Sequence, residues 1–239
     1  MRRPFDDQGQ LFSYISPEQR VPAQHPLRTI RELVRKVFRD LDRDFRILYS
    51  TTGRPLIPPE QLLSALLLQM FCGVRSERQL MEQLDYNLLY RWFVGLSPDD
   101  AAWDATTFTK NRERLQQGDM FNRFKETLLH HQAVTPLLAD EHFSVDGTLI
   151  EAWAGHKSFK PKTGQARKTS IDGRTTRHKA YSLSQGKRKM IECMFGWGKQ
   201  HGAMRKTKYR GLAGVAAGFR LNLIGYNLIR IPKLLAQRG

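Results

Sequence analysis

Two carboxylates stand out by type and setting. Asp146 lies in "SVDGT", where an apolar run gives way to Asp-Gly, and Glu192 lies in "KRKMIECMFGWGKQ", the single acid among lysines and arginines. A strand aspartate and a later helix glutamate are hard oxygen donors. They suit Mg²⁺, which leaves coordination positions open for phosphate and water. Phosphoryl transfer on DNA commonly uses such ions to activate the attacking oxygen and stabilise the leaving one. Each acid has a plainer reading. Glu192 forms an i, i+4 pair with Arg188, worth a few tenths of a kcal/mol, and Asp146 opens an Asp-Gly hairpin turn.

Around these acids the charge is uneven. Residues 1–155 hold 19 Lys/Arg against 21 Asp/Glu, whereas residues 156–239 hold 20 against two, Asp172 and Glu192. The whole excess of the +16 chain therefore sits in its last third. That is the footprint of a nucleic-acid-binding face or tail. Lys157, Arg174, Arg177, Lys189, Arg205, Lys206, Lys208 and Arg210 are the candidates for contacting a DNA backbone.

Helical placement of 187–200 sets Arg188, Phe195 and Lys199 within roughly 60° of Glu192 and gathers Met190, Met194 and Trp197 opposite. The Met/Trp stripe is expected to pack on a core, with Gly196 and Gly198 each weakening the helix by roughly 1 kcal/mol. Residues 141–154, "EHFSVDGTLIEAWA", read as one strand or two around a turn. Residues 156–190 hold seven apolar residues and eleven Lys/Arg. So charged a stretch is expected to stay flexible unless DNA orders it.

The elements upstream read as helices. Residues 1–26 form a loosely held arm. Apolar positions from Ile30 to Leu41 recur at helical spacing, predicting one helix over Arg28–Phe45. Pro59 opens a helix to about Phe71, ended by Gly73. Ser76 with Gln79 caps another to about Leu84, and "NLLYRWFVGL" continues to Gly95. Thr106 or Thr107 caps a helix to about Gln116, and Asp119 one to about His131. The first 135 residues are thus a bundle of five or six helices.

The helix pair at 60–85 has a DNA-reading look, but Glu77, Glu82 and Asp85 disfavour phosphate contact, so plain packing competes with groove reading. Adjacent His130 and His131 cannot share a ligand and suit a helix-end surface. A long helix from about Leu212 to Leu235 closes the chain and docks on a core. Arg220 and Arg230 interrupt its apolar runs, which argues against a membrane span. Cys72 and Cys193 form no CxxC pair, so neither disulfide framework nor zinc site is indicated. With no signal-like segment, a cytoplasmic, nucleoid-associated protein is expected.

The strings "FSVDGTLIEAWAGHKSFKPK", "SIDGRTTRH", "KRKMIECMFGWGKQHGAMRKTKYRGL" and "LNLIGYNLIRIPKLL" resemble the DDE transposases of bacterial insertion sequences. The resemblance covers nearly the whole chain. It implies an α+β, mostly helical protein in which a helical N-terminal domain (27–135) precedes a ribonuclease-H-like catalytic domain (140–239). It also implies double-stranded DNA at transposon ends as partner, Mg²⁺ or Mn²⁺ as cofactor, and strand cutting and rejoining as activity. Homo-oligomer formation is left open. By position Asp146 matches the first catalytic acid and Glu192 the last, making them the metal ligands, while Arg188 and Lys199 match the basic members of the Tyr–Arg–Glu–Lys signature. Gln185 stands at the tyrosine position.

The family's second aspartate has no counterpart. Only 45 residues separate Asp146 from Glu192; beyond Glu151, five residues after Asp146, their one acid is Asp172, which matches a part downstream of the middle strand. The catalytic domain reads as internally shortened near "KPKTGQARK", with activity impaired. Two other readings stand beside it: a non-catalytic protein occupying transposon ends as an inhibitor, and a general RNA-binding protein.

Overall fold

The computed structural model describes residues 16–49, 57–138, 151–152, 192–202, 204–207, 209 and 211–237. Among the described residues eight helices run between residues 17 and 130, more than the five or six expected. They are α1 (Pro17–Arg20), α2 (Pro26–Asp40), α3 (Asp42–Leu48), α4 (Pro59–Phe71), α5 (Glu77–Tyr86), α6 (Leu88–Val94), α7 (Ala105–Gln117) and α8 (Met120–His130). A 3₁₀ turn, Thr135–Leu137, follows.

Local chemistry accounts for most boundaries. Pro59 occupies the first turn of α4, where its missing N–H costs nothing, and Gly73 beyond its end takes φ +61°, open to glycine without strain. Ser76 Oγ accepts from the Gln79 amide at 3.0 Å and starts α5. Asp104, rather than Thr106 or Thr107, caps α7. Its carboxylate accepts from both of those amides at 2.7 and 3.1 Å, and a carboxylate at a helix N-terminus also complements the helix dipole.

The helix expected over Arg28–Phe45 is divided at Leu41, whose φ/ψ of −90°/1° leaves the helical region and separates α2 from α3. The break lets Phe45 fold back on Phe38, their rings 6.0 Å apart and edge-on. Leu41 and Phe45 are both buried, so the apolar period continues across a corner that periodicity does not reveal.

Of the arm expected over 1–26, residues from Ser16 onwards are fastened. Ser16 and Gln19 close a reciprocal capping box around α1. The Glu18 carboxylate then accepts from Trp92 Nε1 at 2.6 Å and from Arg31 at 2.9 Å, and pairs with Arg28. Val21 is buried against the bundle.

The core is built on α4. Every residue from Leu62 to Met70 is buried, so this helix has no solvent face along most of its length. Phe108, Phe121 and Phe124 are fully enclosed beside it. A further, long helix (Gly211–Ala236) matches the sequence expectation closely. Its buried face, Ala217, Leu221, Ile224, Leu228 and Ile231, joins the same continuous core and packs on α2, α4 and α8.

The long helix, which belongs to the expected 140–239 domain, therefore shares one interior with the bundle of 27–135. Asp119 supports the union. It sits before α8 at φ +52° without capping it, and its carboxylate accepts from Arg220 of the long helix at 3.1 Å. Among the described residues this long helix is apolar enough by length and composition to cross a membrane, its arginines notwithstanding, and 44% of its apolar window is buried inside the protein.

Between these parts lie two short strands, β1 (Glu151–Ala152) and β2 (Lys206–Thr207), paired in parallel with Glu151 opposite Lys206 and Ala152 opposite Thr207. Residues 192–200 between them are helical and are designated α9, the long helix being α10. Parallel strands require a crossover, and α9 lies within it.

Candidate functional site

The α9 segment presents Glu192, Cys193, Gly196, Lys199 and Gln200 to solvent. Glu192 and Lys199 are seven residues apart, two helical turns, and share one face. The opposite side is packed. Trp197 lies against Tyr226 of α10 with rings 6.0 Å apart, and a Cβ placed on Gly225 would come 3.3 Å from the Trp197 ring. Of the expected Met/Trp stripe, Trp197 is docked and Met194 is half-buried beside it, while Met190 lies outside the described residues.

Phe195 departs from the expectation. It was placed on the Glu192 side, yet it is buried at 9% exposure against Phe219, ring centroids 6.3 Å apart. At roughly 60° from Glu192 it sits on the flank between the two faces, and an aromatic ring there turns toward the neighbouring helix. Gly198, expected to weaken the helix, is buried where a Cβ would collide with the Met204 thioether.

From Met204 the chain runs along α10. Arg205 and Lys206 are exposed, whereas Thr207 and Tyr209 are buried. The Tyr209 amide donates to Thr207 Oγ1 at 3.2 Å. Its ring fits a slot floored by glycine: a Cβ on Gly218 would meet two ring carbons at 2.6 Å. The Arg112 guanidinium lies 5.2 Å from the ring centroid, a cation–π arrangement.

Arg112 in turn pairs with Glu77, which also accepts from Thr109 Oγ1, and both charged side chains are nearly enclosed. Burial raises the Tyr209 phenol pKa, with Arg112 opposing the rise. This chain from α5 through α7 to Tyr209 anchors the strand that follows α9. Sequence reasoning missed it, because each member is unremarkable alone and the partners are far apart in the chain.

Of the candidate residues, Glu192, Lys199, Arg205 and Lys206 are exposed within α9 and the stretch leading into β2. Asp146, Arg188, Lys157, Arg174, Arg177, Lys189, Lys208 and Arg210 lie outside the described residues, as do Asp172 and the stretch "KPKTGQARK". The β1–β2 pairing does set the strand following the Asp146 segment beside the strand following Glu192.

For a divalent ion the described residues provide one carboxylate of the candidate set, Glu192. Among them no group of three His, Cys, Asp or Glu side chains is placed to hold a metal. They do not by themselves fit a two-ion centre. His130 and His131 border a shallow cleft with Asp40 and Glu126, and His130 Nδ1 is engaged with the Glu126 carbonyl at 2.8 Å. Cys72 and Cys193 are free thiols.

Comparison with known families places this arrangement. A transposase domain family (DUF772) matches residues 15–114, and a transposase DDE domain family matches residues 155–232. On these two matches the chain belongs to the insertion-sequence DDE transposases. Arg188, Glu192 and Lys199 fall inside the DDE match and Asp146 lies upstream of it. No curated protein and no solved structure matches the chain.

Proposed function

We propose that this chain is an insertion-sequence transposase, internally shortened, that binds the terminal inverted repeats of its element and has little or no strand-transfer activity. One observation carries the reading. Within the DDE-matched residues, α9 exposes Glu192 and Lys199 on one face, and the exposed cations Arg205 and Lys206 follow within one short segment. A carboxylate among cations suits a DNA backbone held beside a reacting phosphate. Arg188, Lys189, Lys157, Arg174, Arg177, Lys208 and Arg210 extend the same positive stretch in sequence.

Asp146 and Glu192 are the proposed ligands of Mg²⁺ or Mn²⁺. Two carboxylates stand where the family's resemblance calls for three, so the ion is held weakly and cleavage is impaired. The test is incubation of the protein with terminal-repeat DNA and either ion, scoring nicks on a denaturing gel. Trace nicking lost in both Asp146→Ala and Glu192→Ala supports the reading. Binding with no nicking at all identifies a non-catalytic occupant of transposon ends. Robust cleavage that survives Glu192→Ala refutes the assignment, and preference for structured RNA over duplex DNA refutes the partner.

A further inference from the structure

The first two thirds of the chain carry a net charge of −2 over residues 1–155, which hides a local segregation. On α2, Arg28, Arg31, Arg35 and Arg39 recur at i, i+3, i+7 and i+11 and fall on one side of the helix. The last three line the wall of a cleft of about 620 Å³ between α2, α4 and α6. Its apolar lining includes Phe38 and Phe93, and its far wall includes Gln61.

The arginines differ in their commitments. Arg28 and Arg31 are held by Glu18 and lie 5.3 and 4.3 Å from the Trp92 ring centroid. Arg31 Nε is nonetheless buried with no hydrogen-bond partner, and burial, followed by the adjacent charge of Arg35, depresses the Arg31 pKa. Arg35 and Arg39 are exposed and have no ion-pair partner among the described residues. Two acids border the cleft. Asp42 is bound by Arg46 at 2.7 Å, and Glu60 stands in the first turn of α4. The α2 wall is left cationic.

We infer that this cleft holds the sugar–phosphate backbone of one DNA strand, a second nucleic-acid contact separate from the basic C-terminal third. Arginines four residues apart on a helix are spaced about 6 Å along its axis, on the scale of successive phosphates along a strand. The volume suits a small ligand or a single strand and excludes a duplex. Guanidinium groups give phosphate paired hydrogen bonds, and the apolar lining faces the sugars. The inference rests on the DNA-binding reading above.

The experiment measures affinity for a fluorescein-labelled duplex from the flanks of the gene, and for its single strand, between 50 and 200 mM salt. The intact chain is compared with Arg35→Gln/Arg39→Gln and with Arg75→Gln/Arg78→Gln, which removes equal charge from another exposed site; circular dichroism confirms that all three fold. Loss of two phosphate contacts lowers the single-strand salt slope by about 1.4, so the affinity advantage of the intact chain over the cleft variant shrinks about sevenfold across that range. An unchanged slope in the cleft variant, or the same change in both variants, overturns the inference while leaving the DNA-binding reading in place. Failure of the intact chain to bind either probe overturns both.

Discussion

Replacing Leu228 by alanine is the sharpest test of the shared interior. Leu228 is fully buried on α10, within the core formed with α2, α4 and α8. The substitution removes buried methyl groups and leaves a void that neighbouring helices close only in part, at a cost of about 2–5 kcal/mol. A loss of about 3 kcal/mol corresponds to a Tm drop of roughly 6–12 °C for a chain of this size. Leu212→Ala is the control: on the same helix, 88% exposed, it should leave Tm nearly unchanged.

The decisive readout is where the loss is felt. Trp92 lies in α6 at 4% exposure, far from residue 228 in sequence, and Trp197 lies in α9. In protein labelled with 5-fluorotryptophan, ¹⁹F NMR follows each tryptophan through urea unfolding. One core requires the Trp92 and Trp197 signals to shift their midpoints together in Leu228→Ala. If Trp92 keeps its original midpoint while Trp197 unfolds early, the N-terminal bundle is independent of α10 and the reasoning fails.

Two further outcomes follow from charged groups in the bundle. Hydrogen bonding from Trp92, reinforced by Arg28, lowers the Glu18 pKa from 4.5 to about 2. Its contribution to stability is therefore complete above about pH 4.5 and is lost as pH falls toward 2; a plot of Tm against pH should fall less steeply over that window in Glu18→Gln than in the parent. Arg112→Ala removes the guanidinium that pairs with the nearly enclosed Glu77 carboxylate and lies over Tyr209, so denaturant titration should show a loss of about 3–5 kcal/mol. Arg112→Lys should recover only part of it, since the ammonium lacks the planar fork.

Elements marked by punctuation were legible in the sequence. Pro59 and Gly73 bracket α4, and the run from Gly211 onward gives α10 nearly to the residue. The α2–α3 corner was not, because Leu41 satisfies the apolar period on both sides of a bend. Naming Thr106 or Thr107 as cap also failed, since Asp104 is a capping type within the same turn and only geometry decides. Periodicity reveals which face of α10 is apolar but not what it covers, so its docking on α2, α4 and α8 comes only from the structure.

At the candidate site, solvent exposure of Glu192 and docking of Trp197 followed from helical angles. The burial of Phe195 did not, because a side chain on the flank of a helix is claimed by whichever neighbour approaches it. Arg112, Glu77 and Tyr209 come together only through tertiary structure, and no local pattern announces them.

The placement of α10 has a consequence for how this chain tolerates change. When the opening and closing segments of a polypeptide meet in one core, the stretch joining them sets a closure entropy that grows slowly, by about 0.6 kcal/mol for each doubling of length. Helix α10 and the bundle are therefore coupled by packing rather than by the length of chain between them, and a single void under α10 is felt in α2, α4 and α8. In such an architecture folding depends on the helices that meet and only weakly on the number of residues that join them.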